Sequence, residues 1–164
     1  TRAFEIVMAN ADKWNLDSCR IGLMGFSAGG HLAATGLVTL KGELKPDFGI
    51  LVYPVISMKK NITHQFSRFN LMGKSPSEDT VIKFSTEVTE DTPATILFHC
   101  SDDPAVKPEN SIVFYQALLR NAVPAEMHVY PKGRHGWGFI EGAPFPYFNE
   151  FKTTVLRWIA EQNN

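Results

Sequence analysis

Gly25-Phe26-Ser27-Ala28-Gly29 sets a serine between two glycines, each one residue removed, where a short apolar run gives way to helix-forming residues. A G-x-S-x-G sequence is weak on its own, and an idle serine in a glycine-rich packing turn has the same spelling. Between a strand and a helix it acquires a mechanism: the turn is tight enough that side chains at Gly25 and Gly29 are expected to clash, which forces the serine outward into a strained conformation. The amides that open the following helix then point at the space above the hydroxyl, where they can stabilise a developing oxyanion. The first of them to follow the serine belongs to Ala28.

A serine hydroxyl is a poor nucleophile until a neighbouring base accepts its proton and a third group orients that base. Candidates occur in the order serine, acid, histidine. Asp102 and Asp103 lie in His99-Cys100-Ser101-Asp102-Asp103-Pro104-Ala105-Val106, and His135 lies between glycines in Gly133-Arg134-His135-Gly136-Trp137-Gly138. Adjacent aspartates project in different directions, so one can face His135 while the other caps a turn or a helix. Trp137 beside the histidine is a candidate for shaping the substrate site and equally a candidate for the core. His31, His64 and His128 read as structural. No pair of histidines has the spacing that would put two metal ligands on one helix turn, and the chemistry calls for no cofactor.

These residues need a scaffold. Phe4, Val7, Met8, Ala11 and Trp14 recur at spacings of three and four, which predicts an amphipathic helix. Arg20 to Phe26 reads as a buried strand, and a small-residue helix starts near Ala28. Phe48 to Tyr53 is a second strand stopped by Pro54, Ala94 to Phe98 a third, and Ala125 to Tyr130 a fourth. Between the later strands lies a helix over Glu109 to Asn121, carrying Ile112, Val113, Tyr115, Leu118 and Leu119. A closing helix over Tyr147 to Gln162 buries Phe148, Phe151, Val155, Leu156 and Ile159. Strands separated by helices predict a parallel sheet with helical crossovers, helices on both faces, and loops at the carboxyl ends of the strands as the place for a site. Residues 57 to 92 are polar and mixed, without an evident strand. They read as an excursion over the site, with Ser75 capping a helix that has Pro76 first and Glu78 closing the box.

The 164 residues suit one domain. With 44% hydrophobic residues, 16 basic and 17 acidic side chains and a net charge of −1, the chain can build a core and has no field to attract nucleic acid or an anionic membrane. No apolar stretch reaches the roughly 18 residues of a membrane span. Cys19 and Cys100 fall on opposite edges of the predicted sheet and are expected to be free thiols. The compartment, cytoplasmic or exported, is left open.

Four segments together, GFSAGGHLAA from Gly25, then LVYPVIS, HCSDDPAVKPENS and GRHGWGF, resemble the esterase branch of the α/β-hydrolases, in particular bacterial carbohydrate acetylesterases and acetylxylan-esterase-like proteins. The resemblance spans nearly the whole chain. It implies a catalytic serine at Ser27, a base at His135 and, from a D-x-x-V-P pattern matched with one extra residue, the acid at Asp103 rather than Asp102. It implies an acyl-enzyme mechanism on short-acyl, chiefly acetyl, esters of a carbohydrate or oligosaccharide, with a prolyl-oligopeptidase type of serine peptidase or a catalytically incompetent piece as alternatives. It also implies a loop of HGGG type and several strands ahead of the serine, none of which this chain contains, leaving the Ala28 N–H as the assignable oxyanion donor. Residues 1 to 164 are therefore expected to be the C-terminal part of a single α/β-hydrolase domain of roughly 250 to 300 residues. The strand before Ser27 is expected to present an open edge, covered by missing strands or by a second copy in a homo-oligomer.

Overall fold

A computed structural model describes residues 2–18, 20–80, 87–140 and 145–162. Its frame is a parallel sheet of four strands in the order β1-β2-β3-β4: β1 Leu23–Phe26, β2 Phe48–Val52, β3 Ala94–Cys100 and β4 Ala125–Tyr130. Phe26 pairs with Val52, Val52 with Phe98, and Phe98 with His128, so the four carboxyl ends stop at nearly one level. That level is where the loops carrying Ser27, Asp103 and His135 emerge.

Alternation along the strands decides which helix covers which face. Ile50, Val52, Ile96 and Phe98 point to one face, where α6 (Phe148–Glu161) supplies Phe151, Val155 and Trp158. Leu51 and Leu97 point to the other, where α3 (Ser27–Thr39) supplies Ala33, Ala34 and Leu37, and α5 (Glu109–Arg120) supplies Phe114 and Leu118. Central strands of a parallel sheet are buried on both faces, which is why β2 and β3 read as continuous apolar runs.

Several expectations shift in register. The first helical stretch divides into α1 (Arg2–Ala9) and α2 (Ala11–Trp14), and it buries Phe4 and Ala11 while Trp14 is exposed. The first strand begins at Leu23; ahead of it, the Ile21 N–H donates to the Asp47 carboxylate at 2.8 Å. In α6 Phe151 and Val155 are buried as expected, joined by Trp158 while Leu156 faces out, and in α5 Leu118 is buried as expected, joined by Phe114 while Ile112 and Leu119 are exposed. In each helix a wider aromatic at a neighbouring position outcompetes the aliphatic for the sheet.

Among the described residues of 57 to 92 there is no strand. They hold α4 (Gln65–Met72) and a helical turn at 78–80, capped by Ser77 and not by Ser75: the Ser77 hydroxyl accepts the Thr80 N–H at 3.3 Å. In the described sheet β1 pairs only with β2, and Met24 on it is exposed. No helix among the described residues is long and apolar enough to cross a membrane. Cys100 is a buried free thiol, and Cys19 lies outside the described residues.

Candidate active site

The turn from β1 into α3 is as tight as its sequence predicts; Gly25 is obligatory as expected, and Gly29 is not. A Cβ on Gly25 would stand 2.3 Å from the Gly29 carbonyl oxygen, whereas one on Gly29 would meet nothing. The second obligatory glycine is Gly30, where a Cβ would lie 2.7 Å from the Pro54 ring. Squeezed between these contacts, Ser27 adopts φ +53°, left-handed backbone that costs a serine on the order of 1–3 kcal/mol and persists because its surroundings enforce it. The Ser27 carbonyl accepts the Val55 N–H at 3.0 Å, tying the turn to the segment after β2.

Three loops then converge. The Ser27 hydroxyl lies 2.8 Å from His135 Nε2, and His135 Nδ1 lies 2.6 Å from Asp103 Oδ2. A carboxylate only accepts, so Nδ1 carries the hydrogen and Nε2 is left to accept from Ser27. The Asp103 side chain is wholly buried, and that of His135 is 22% exposed. Burial by itself would raise the Asp103 pKa. Hydrogen bonds from His135 and His99, and the Val106 and Ala105 N–H groups on Oδ1 at 2.9 Å each, more than offset it and hold the carboxyl well below its ordinary range.

Asp102 diverges from Asp103, as neighbouring side chains must. Its Oδ1 accepts the Arg134 N–H at 2.8 Å, which braces the loop ahead of His135. That loop needs bracing, because Gly133 has φ +151° and a Cβ there would lie 2.6 Å from both Cys100 Sγ and the Phe145 ring, and Arg134 has φ +58°. The Cys100 thiol beneath it is pushed up to about 12 by burial and by the charge of Asp102.

Tyr53 is a contributor that sequence reasoning passed over. It stands at φ +37° immediately after β2, with its ring centroid 4.6 Å from that of His135 and its hydroxyl accepting the Gly138 N–H at 2.9 Å. A tyrosine wedged between a strand end and Pro54 was the available signal. Asn110 is a second: fully buried, it accepts the Ile56 and Ser57 N–H groups and donates to the Ile62 and Lys107 carbonyls.

A cavity of about 470 Å³ opens beside Ser27, lined by Ala28, His31, Val55, Met58 and the α4 residues Phe66 and Leu71, among others. Its floor is apolar and its rim includes a phenylalanine that is 69% exposed. Trp137 does not line it. The indole is 3% exposed, stacked on Phe145 at 4.0 Å and set edge-on to Tyr53, with its N–H near the Cys100 sulfur but making no full hydrogen bond. His31, expected to be purely structural, reaches the cavity wall. The Ala28 N–H sits in the first turn of α3, where backbone donors have no helical acceptor. Among the described residues no three histidine, cysteine or acidic side chains are grouped to hold a metal ion.

The chain is similar to known proteins along most of its length. A family model described as the prolyl oligopeptidase family matches residues 4–161. An acetylxylan esterase of Xylanibacter ruminicola is 34% identical over 164 residues, covering 96% of this chain and 34% of that protein. An endo-1,4-beta-xylanase B of Butyrivibrio fibrisolvens is 33% identical over 149 residues, 83% of this chain and 23% of its own. The crystal structure of an acetyl ester-xyloside bifunctional hydrolase from Caldicellulosiruptor lactoaceticus superposes with a TM-score of 0.88 at 36% identity, over 98% of this chain and 63% of that one. The chain thus spans about a third or less of the curated relatives it matches. The sheet and its crossovers are those of an α/β-hydrolase.

Proposed function

Because the chain belongs to the prolyl oligopeptidase family, we propose that it hydrolyses carboxylic esters through an acyl-enzyme on Ser27, acting on short-acyl, chiefly acetyl, esters of carbohydrates. The observation that carries the reading is the unbroken hydrogen-bonded series from the strained Ser27 hydroxyl through His135 to the buried Asp103 carboxylate. The names of the acetylxylan esterase and of the acetyl ester-xyloside hydrolase support the choice of substrate.

In the proposed mechanism Ser27 Oγ attacks the acyl carbon as His135 Nε2 takes its proton. The carbonyl oxygen becomes an oxyanion that the Ala28 N–H can meet. Asp103 holds the imidazole in the Nδ1–H tautomer and stabilises the imidazolium. The tetrahedral species collapses, the C–O bond to the sugar breaks, and His135 returns its proton to the leaving alkoxide. Water, deprotonated by His135, then attacks the acyl carbon, and the carboxylic acid leaves as Ser27 regains its hydrogen.

A fluorophosphonate probe tests this directly. One adduct per chain on Ser27, none on Ser27→Ala, and a fall in p-nitrophenyl acetate turnover of about a millionfold in that variant are expected. Absence of an adduct on the parent overturns the reading. The peptidase alternative has the family's name and the order of the three residues in its favour; hydrolysis of a peptide anilide faster than p-nitrophenyl acetate would establish it instead.

A further inference from the structure

Asp103 accepts three hydrogen bonds, only one of them from His135, and has a fourth polar neighbour. Two backbone donors fix Oδ1, while Oδ2, the atom that faces His135, also lies 3.3 Å from Nε2 of His99. His99 is wholly buried on β3, and its other contacts determine how it is protonated. Nε2 is 2.9 Å from the Val106 carbonyl oxygen. Both neighbours of this nitrogen are acceptors, so it must carry a hydrogen, shared between Val106 O and Asp103 Oδ2. Nδ1 meets the hydroxyl of Ser111 at 2.7 Å, itself buried on α5. The ring is clamped at both ends and can neither flip nor swing.

We propose that His99 is a positioning residue for the triad, holding the Asp103 carboxylate in the orientation in which Oδ2 meets His135. The catalytic consequence rests on the ester-hydrolase reading; the contact itself does not. Without His99, Oδ2 would have His135 as its single partner, and the Asp103 side chain could pivot about its Oδ1 bonds away from it. The Ser111 hydroxyl extends the arrangement into α5, so the acid is fixed by β3, by its own turn and by the following helix together.

Two amides separate positioning from packing. The longer side chain of His99→Gln can place an N–H where Nε2 stands, whereas the shorter one of His99→Asn reaches only toward Ser111. Both would be compared with the parent by turnover of p-nitrophenyl acetate and by the low-field proton resonance of the His135–Asp103 hydrogen bond. His99→Asn is expected to lower kcat roughly 10- to 100-fold at unchanged KM, the scale of losing an orienting partner behind a catalytic group, and to shift or broaden the resonance. His99→Gln is expected to restore most of both. Unchanged kcat and resonance in folded His99→Asn would overturn the proposal, as would equal losses in the two variants that track a common fall in melting temperature. If His99→Asn does not fold, Ser111→Ala frees the other end of the ring and is expected to lower kcat severalfold at unchanged KM; unchanged kcat and resonance there would overturn it equally. A parent that neither hydrolyses esters nor labels at Ser27, yet whose resonance responds to His99→Asn and not to His99→Gln, would remove the ester-hydrolase reading and leave the positioning role standing.

Discussion

The loops after β3 and β4 and the segment after β2 sit side by side at the carboxyl end of the sheet, yet they are built on opposite plans. Around Asp103 and His135 the polar atoms facing the carboxylate are committed: three hydrogen bonds and the His99 contact on Asp103, a clamped His99, and Asp102 bracing the backbone ahead of the histidine. Along 55 to 72 the inner wall is apolar and closed, with Val55 and Met58 fully buried, while the outer side of α4 leaves Phe66, Phe69 and Leu71 to solvent. The first region tolerates one arrangement, because an unpaired buried charge is costly. The second is anchored beneath by Asn110 and by Arg68, which donates to the Met58 carbonyl at 2.9 Å, and can vary at its rim. On the proposed function, the chemistry resides in the committed region and substrate choice in the open one.

The sharpest test of that division is the pair of neighbouring aspartates. Asp103→Asn is expected to lower kcat about 10⁴-fold on p-nitrophenyl acetate, because an amide can present its N–H to His135 Nδ1 and stabilise the wrong tautomer. Asp102→Asn keeps an oxygen for the Arg134 N–H and is expected to stay within a few-fold of the parent. Equal losses in the two would show that the committed region has been assigned one residue out of place.

Asn110 roots both regions, so its removal should be felt as stability before it is felt as chemistry. Asn110→Ala strands the Ile56 and Ser57 N–H groups and the Ile62 carbonyl, while the Lys107 carbonyl keeps the backbone N–H of residue 110. A loss of about 3 kcal/mol is expected on the scale of buried unsatisfied groups, read as a drop of roughly 6–12 °C in melting temperature for a chain of this size. An unchanged melting temperature would mean that the segment after β2 is held by its apolar floor alone.

How much of this could be read from sequence follows the same line. Ser27, the acid pair and His135 were legible because turn chemistry and strand order confine them, and the strands were legible because β2 and β3 are continuous apolar runs between breakers and β4 follows a helix in the same alternation. Choosing Asp103 over Asp102 required the resemblance, since spacing cannot say which of two neighbours turns inward. Gly30 was missed because its obligation arises from Pro54, 24 positions away along the chain and in contact only once folded. Tyr53 and Asn110 were missed for the same reason, since each acts through segments distant in sequence; His99 meets partners within 12 positions and was missed because only the folded turn brings its ring against the carboxylate. In the helices, periodicity located the buried face to within one position, and Phe114 and Trp158 won it over their aliphatic neighbours by size.

The smallest effect should fall on the open rim. Phe66 is 69% exposed, and its one close ring contact among the described residues is His64 at 6.5 Å, so truncating it removes little packing and should leave the melting temperature in place. On the proposed function its exposed face is a platform for a sugar ring at the mouth of the Ser27 cavity. Such contacts contribute about 0.5–1.5 kcal/mol, so Phe66→Ala should raise KM by roughly 2- to 10-fold on an acetylated xylo-oligosaccharide and leave p-nitrophenyl acetate, too small to reach the rim, nearly unchanged. Equal effects on the two substrates would move Phe66 out of the recognition region and into the machinery it borders, and the contrast between committed and open regions would then have to be drawn beyond α4.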